Sequence, residues 1–344
     1  MINTPTKLLF ILALMSGTII SISSNSWFGA WIGLEVNLLS FMPLMTNPRN
    51  LMTTEASLSY FLTQALASAT LLFAVILAAL VSSLPNSLLI SDSSLQTLIS
   101  SSLLMKMGAA PFHFWFPGVM EGLSWVNSLI LMTWQSVAPL MLLSYNFHFG
   151  PFPAFIIIAS IAVGSIGGLN QTSLRKILAY SSINHLGWMT AAVSLGENLW
   201  NSYFLIYTFL TSTIILILST LSISHINQTF SLNTISPITK FSIFTSLLSL
   251  GGLPPFLGFL PKWIIIQALV TANMKTIAML MVTTTLMTLF YYLRLGFSAF
   301  LFFYSENIWA PQPSAMDTPT FIALTLSAIS ALGLLACSVF YHTL

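Results

Sequence analysis

Residues 251–263 read GGLPPFLGFLPKW and interrupt an apolar run that extends over approximately 241–272. This run is longer than the roughly 20 residues that one α-helix needs to cross the ~30 Å hydrocarbon core of a bilayer. Glycine and proline in its centre predict a broken helix, because proline removes a backbone donor and clashes with the preceding turn. Freed backbone groups at membrane depth are tolerated only against protein or water. The segment therefore predicts a helical membrane protein with an ion pathway at the broken helix.

A similar interruption lies earlier in the chain. Residues 103–117, LLMKMGAAPFHFWFP, place lysine, glycine and proline inside another apolar run, 95–116. Broken helices at corresponding positions are typical of repeated membrane folds. We therefore expect two related halves of five helices each, residues 1–150 and 151–303, followed by a loop and a C-terminal helix within 304–344.

The composition excludes a soluble globular protein. Of the 344 residues, 56% are apolar and 5% are charged, whereas about 25% are charged in an average soluble domain. Long apolar runs without strict alternation favour helices over a membrane β-barrel. The sequence thus predicts an all-α polytopic membrane protein with about 11 transmembrane helices. The predicted spans are 8–25, 27–46, 57–83, 95–116, 123–146, 151–170, 178–195, 199–224, 241–272, 276–303 and 320–341.

Several chemistries are excluded by what the chain lacks. The net charge of +2 comes without a basic run, so no nucleic-acid partner is expected. The single cysteine, Cys337, excludes a disulfide framework, a cysteine-rich zinc site and an iron–sulfur cluster held by this chain. The glycines of 164–168 have neither dinucleotide-loop nor P-loop spacing. Any redox centres are therefore expected in other chains.

Basic residues outside the spans predict the orientation of the chain. The N-terminus is expected on the side of synthesis and, with eleven spans, the C-terminus on the opposite side. The residues before the first span lack the character of a transit peptide, so no removed segment is expected. The alternating loops place only Lys275 on one side, and on the other side Lys7, Arg49, Arg175, Lys176 and Lys240.

Three ionisable residues, Glu35, Lys106 and Lys262, lie near the middle of apolar spans. A charge at the centre of a membrane helix costs about 2.5 to 3.5 kcal/mol. The functional interpretation is a proton relay in which a moving carboxylate changes the protonation of a lysine. The structural alternatives are a static ion pair between Glu35 and Lys106, and snorkelling of Lys262 to an interface. For Arg294, snorkelling or structural pairing is the favoured interpretation.

Polar side chains on two further spans extend this hypothesis. His185 is a candidate proton carrier, because the ordinary pKa of histidine is near 6.5. It shares a polar stripe with Ser181, Ser182 and Asn184 that suits water, although ordinary helix packing gives the same pattern. His113 is a second candidate beside the first break. Its structural alternative is a hydrogen bond to backbone freed by Pro111.

Five segments resemble the chain 2 family of mitochondrial NADH:ubiquinone oxidoreductase, respiratory complex I, and the resemblance spans nearly the whole chain. The resemblance implies an antiporter-like fold with two inverted five-helix repeats. It also implies a place in the mitochondrial inner membrane, in the membrane arm that pumps protons. The family's glutamate falls on Glu35 and its broken-helix lysines on Lys106 and Lys262. The segments are 24–44, 103–125, 131–140, 164–189 and 251–263.

One position departs from the family pattern. In the family, the position after TWQ in the segment 133–140, which reads TWQSVAPL here, usually carries lysine, whereas this chain has Ser136. The lysine's role cannot be assigned to a serine, although the hydroxyl can donate to a water chain. Either the relay runs through water and His185, or the pumping route through this chain is altered.

The resemblance implies a subunit of an oxidoreductase without its own redox site. NADH, FMN, iron–sulfur clusters and ubiquinone are then expected in partner subunits. Neighbouring antiporter-like subunits and lipids are the expected contacts. Two alternatives remain: a membrane scaffold without its own proton pathway, and a stand-alone cation/proton antiporter.

Overall fold

The computed structural model describes residues 5–47, 50–83, 92–147, 149–230, 237–297 and 318–343. Within these ranges the regular structure is helical, and one isolated antiparallel bridge joins Ser173 to His225. The predicted all-helical class is therefore confirmed for the described residues. Arg49 and the last residues of the predicted span 276–303 lie outside them.

The chain divides into two compact units, Met1–Ile156 and Ile157–Leu344. The first seven helices belong to the first unit, and α8 begins in it. These eight helices are α1 (Pro5–Ser23), α2 (Trp27–Met45), α3 (Leu51–Ser83), α4 (Asp92–Met107), α5 (Trp115–Gly122), α6 (Trp125–Met132), α7 (Trp134–Ser144) and α8 (Pro151–Gly168).

The second unit contains the remaining helices. They are α9 (Leu174–Leu195), α10 (Glu197–Thr220), α11 (Ile226–Phe230), α12 (Pro237–Gly251), α13 (Phe259–Thr271), α14 (Lys275–Phe297) and α15 (Thr318–Thr343). Each of the predicted apolar runs coincides with one of these helices or with a pair of them.

Both predicted helix breaks are present. The first separates α4 from α5, and the second separates α12 from α13. A further interruption at Thr133, between α6 and α7, was not expected from the sequence. The Thr133 hydroxyl donates to the Leu129 carbonyl at 2.7 Å, and such back-bonding by threonine bends helices. Pro139, inside α7, lacks the amide that would bond the preceding turn.

Seven of the described helical segments are long and apolar enough to span a bilayer. The helix α9 is not one of them, because serine, asparagine and histidine lower its hydropathy. Its side chains from residue 177 to residue 193 are nevertheless buried, with the exception of Tyr180. A polar helix inside a membrane unit satisfies its side chains against protein. The total number of crossings stays a prediction.

Small residues bring α1 and α2 of the first unit into close contact. A Cβ atom on Gly17 would lie 2.9 Å from the Asn37 amide nitrogen, and one on Gly33 would lie 2.5 Å from that of Ser21. Glycine at such crossings lets membrane helices approach until their backbones touch. This crossing fixes the part of α2 that carries Glu35 and Asn37.

In the second unit, Arg294 connects the last turn of α14 to the residues that follow α8. Its guanidinium donates to the carbonyl of Leu169 at 2.8 Å and to that of Gln171 at 3.4 Å. These carbonyls follow the C-terminus of α8, where a positive charge is favourable. The contact corresponds to the structural pairing that was favoured for Arg294.

Candidate functional site

The two broken helices end in the same backbone motif. In the first, the amides of Gly108 and Ala109 donate to the Leu104 carbonyl at 3.0 and 3.1 Å. In the second, the amides of Gly252 and the following residue donate to the Leu248 carbonyl at 3.1 and 3.4 Å. Both glycines have positive φ, +77° and +80°. This is the Schellman cap, which requires a left-handed residue and is therefore most often closed by glycine.

Lys106 lies in the last turn of α4, directly before the first break, and its side chain is 6% exposed. Its carbonyl accepts a hydrogen bond from the Gln64 amide at 3.0 Å. The indole of Trp115 donates to the preceding carbonyl, that of Met105, at 3.3 Å. Side chains of the first unit thus satisfy carbonyls that the end of α4 leaves free.

A small polar cavity adjoins Lys106, with a volume of about 10 Å³. This space suits about one water molecule. The Gln135 amide donates to the Asn37 side-chain oxygen at 3.2 Å, and the Tyr60 hydroxyl donates to the Gln135 oxygen at 3.5 Å. Both Tyr60 and Gln64 line the cavity, so a connected polar network lies beside the lysine.

Glu35 is half-buried on α2, and its negative charge acts on the Lys106 ammonium. No direct ion pair joins these two residues among the contacts of the described chain. The static ion pair considered from the sequence is therefore not formed in this structure. The arrangement leaves the two charges coupled through space, so that a change at Glu35 alters the electrostatic potential at the lysine.

Two further candidates of the first unit contact backbone instead of the lysine. The Ser136 hydroxyl donates to the Thr133 carbonyl at 2.7 Å, and its neighbour Gln135 is the residue that lines the cavity. The imidazole Nδ1 of His113 lies 3.3 Å from the Pro111 carbonyl oxygen. This contact is the structural alternative considered for His113.

Lys262 lies in the first turn of α13, directly after the second break, and its side chain is 6% exposed. Its ammonium donates to the carbonyl of Gly251 at 2.7 Å. Because Gly251 ends α12, the lysine places its positive charge at the negative end of that helix dipole. A Cβ atom on Gly252 would lie 2.9 Å from the lysine nitrogen, so glycine also provides the space for this contact.

His185 of α9 belongs to an aromatic cluster in the second unit. Its Nδ1 atom lies 2.8 Å from the Tyr203 hydroxyl, and its ring centroid lies 5.0 Å from that of Tyr207. The charge of Lys262 acts on this imidazole. The Asn184 oxygen, one residue before the histidine, is buried without a partner among the described residues. Buried polar atoms of this kind ordinarily bind water.

The hydrogen bond between His185 and Tyr203 gives a testable prediction. Tyr203→Phe should lower the thermal stability of the assembled protein, because an unpaired buried polar atom costs about 1–3 kcal/mol. Tyr145→Phe is the control, since Tyr145 is 52% exposed. The measurement is the midpoint temperature of thermal unfolding of each variant in detergent. Equal midpoints for the two variants would show that the bond contributes nothing.

The structure therefore contains two buried lysines, each beside a broken helix and each within its own unit. Sequence reasoning found the lysines but missed Asn37, Gln64, Tyr60 and Gln135. In the sequence these four residues are recognisable only as polar side chains inside apolar spans. That pattern does not predict which of them contact one another. Among the described residues, no three His, Cys, Asp or Glu side chains cluster as a metal site would require.

Comparison with known proteins defines the class of fold. Residues 24–288 match the transmembrane model of the NADH:quinone oxidoreductase/Mrp antiporter family, and residues 289–341 match the NADH dehydrogenase subunit 2 C-terminus. A chain of respiratory complex I from Thermus thermophilus superposes with a TM-score of 0.80 at 26% identity, covering 96% of this chain and 79% of that one. A chain of the Mrp complex from Dietzia sp. gives 0.79 at 19% identity, covering 96% and 75%. The fold is that of antiporter-like membrane subunits.

Curated relatives narrow this class to one family. An Anopheles gambiae protein is 53% identical over 97% of both chains, and a Locusta migratoria protein is 46% identical over 99% of this chain and 98% of that one. Both are named NADH-ubiquinone oxidoreductase chain 2. The chain belongs to the NADH-ubiquinone oxidoreductase chain 2 family.

Proposed function

We propose that this chain is a membrane-arm subunit of mitochondrial complex I that conducts protons across the inner membrane. Electron transfer from NADH to ubiquinone takes place in partner subunits and drives this movement. The family membership supports the assignment to complex I. The observation that carries the proton-conducting role is the pair of buried lysines, Lys106 and Lys262, each at a helix break.

Burial of these two lysines at membrane depth costs free energy. A central charge opposes membrane insertion by about 2.5 to 3.5 kcal/mol, and such residues ordinarily mark ion or proton pathways. Neither lysine forms an ion pair with a carboxylate among the contacts of the described chain. An unpaired lysine at membrane depth is suited to gain and lose a proton as the nearby charges change.

In the first unit, Glu35 controls the charge on Lys106. The carboxylate acts on the ammonium without contacting it, so a small displacement of either group changes the energy of the protonated state. The polar network of Asn37, Gln135 and Tyr60 holds the water molecule through which the proton leaves or arrives. Gln135 contributes amide and carbonyl groups but no charge, so the network here depends on Lys106 for its positive charge.

In the second unit, Lys262 is the proton-binding group, and His185 with its neighbours forms the route toward it. The imidazole has Tyr203 on one ring nitrogen, which fixes its orientation. The buried Asn184 oxygen offers a binding place for water on the same helix. A change of charge in a neighbouring antiporter-like subunit releases the proton from Lys262.

The remaining expectations belong to this proposal. The chain crosses the membrane eleven times as two inverted five-helix repeats and a final helix, with its N-terminus on the matrix side and its C-terminus in the intermembrane space. NADH, FMN, iron–sulfur clusters and ubiquinone bind to other subunits. The position of basic residues supports this orientation within the second unit, because Lys240 lies in the first turn of α12 whereas Lys275 begins α14.

Replacing Lys106 tests the role of the first unit. In complex I reconstituted into vesicles, Lys106→Met should lower proton-coupled ubiquinone reduction by about 10²-fold, the contribution of a positioned proton-transfer group. The exposed Lys7 provides the matched control, Lys7→Met. NADH oxidation by a water-soluble acceptor should stay unchanged in both variants, because the proposal places NADH oxidation in partner subunits.

A scaffold function is the second candidate, and the hydrogen bond of Ser136 to its own helix favours it. In that case the position that usually carries lysine would contribute no proton carrier. An Lys106→Met complex that assembles and keeps both its turnover and its protons per NADH would support the scaffold. It would contradict conduction through the first unit.

A further inference from the structure

An apolar groove opens on the second unit at the N-terminal end of α12. Side chains of α9, α12 and α14 form its walls, together with Leu218 of α10. Ile243 and Phe244 are half-buried, so the groove is accessible from outside the unit. Its deepest α12 residue is Leu247, seven residues after Lys240, which corresponds to about 10 Å along the helix.

A positive charge lies at one end of this groove. Lys240 is the charged residue among its lining side chains. Leu174, at the start of α9, also lines the groove. Lys240 therefore places its positive charge near the end where α9 and α12 begin. The remainder of the lining is apolar apart from Thr229, whose hydroxyl donates to the Ile226 carbonyl at 2.6 Å.

We infer that this groove binds an anionic phospholipid, with one acyl chain along α12 and the phosphate at Lys240. The apolar walls match a hydrocarbon chain, since they offer almost no hydrogen-bonding groups. The basic end matches a negatively charged headgroup, because basic residues at a membrane surface attract anionic lipids. The groove is separate from Lys262 and His185, which do not line it.

A zwitterionic lipid would fill the same walls but would gain less from the basic end. The two classes of lipid are therefore distinguished by their dependence on Lys240. The proposal predicts a preference for the anionic lipid, reduced when the lysine loses its charge.

Photocrosslinking of intact complex I tests this inference. The complex is reconstituted into phosphatidylcholine vesicles that contain either phosphatidic acid or phosphatidylcholine with a diazirine at the same acyl-chain position. After illumination, mass spectrometry should locate the phosphatidic acid adducts on residues 243–247 of α12. At equal probe concentration, labelling by phosphatidic acid should exceed labelling by phosphatidylcholine about fivefold, the contribution expected from one basic residue.

Two variants sharpen the result. Lys240→Gln should reduce the preference for phosphatidic acid and leave phosphatidylcholine labelling unchanged, whereas Lys275→Gln, at the exposed start of α14, should alter neither. Adducts absent from residues 243–247 in the unmodified complex would overturn the proposal. So would equal labelling by the two lipids, or a preference that Lys240→Gln leaves intact. The wild-type comparison decides the question even if a variant fails to assemble.

Discussion

Lys262→Met is expected to lower proton-coupled ubiquinone reduction by about 10²-fold, as the loss of a proton-transfer group would. The ammonium of this residue is buried and donates to the Gly251 carbonyl at 2.7 Å. Methionine has a similar length but carries neither a charge nor a proton that it can release. The measurement is ubiquinone reduction and vesicle acidification by the reconstituted complex, with Lys275→Met as the exposed control.

A second substitution separates proton transfer from support of the helix. Lys262→Arg retains the positive charge and can still donate to Gly251, but its guanidinium does not release a proton. We expect this variant to assemble better than Lys262→Met and to pump equally poorly. Normal turnover and stoichiometry in the methionine variant would refute the role of Lys262. Full pumping by the arginine variant would show that charge, and not proton release, is required.

Gly258→Ala is expected to destabilise the second break by about 1–3 kcal/mol or more, the range for overpacking a filled interior. A Cβ atom at Gly258 would overlap the backbone carbonyl oxygen of Ser249. Because that oxygen is backbone, no rotation of a side chain can relieve the overlap. The expected result is a lower midpoint of thermal unfolding and less assembled complex on native gels.

Gly118→Ala is the matched control for this prediction. Gly118 lies inside α5, and a Cβ atom there would meet nothing within 4 Å. Alanine also favours helix by about 1 kcal/mol relative to glycine. The control should therefore assemble at least as well as the natural chain. If Gly258→Ala behaves like it, the close approach to Ser249 does not constrain the fold.

The helix breaks could be predicted because their signals are local. Glycine and proline interrupt apolar runs at both sites, and Lys106 and Lys262 stand beside them in the sequence. The Schellman caps at Gly108 and Gly252 follow from the same residues, since glycine tolerates the positive φ that closes such a cap.

The polar network beside Lys106 could not be predicted, because it joins distant parts of the chain. Gln135 meets Asn37 and Tyr60 across three helices. The sequence directed attention to Ser136 because of its place in a motif. On a helix, however, adjacent residues point about 100° apart, since one turn takes 3.6 residues. The neighbouring glutamine therefore lines the cavity and the serine bonds its own helix.

The hydrogen bond from Lys262 to Gly251 couples the protonation state of the lysine to the contact between two helices. It links the first turn of α13 to the last residue of α12. A hydrogen bond with a charged donor is roughly twice as strong as a neutral one. Loss of the proton would therefore loosen the joint between two half-helices, and binding of a proton would tighten it. Each protonation and deprotonation of Lys262 would then alternately strengthen and weaken the connection between α12 and α13.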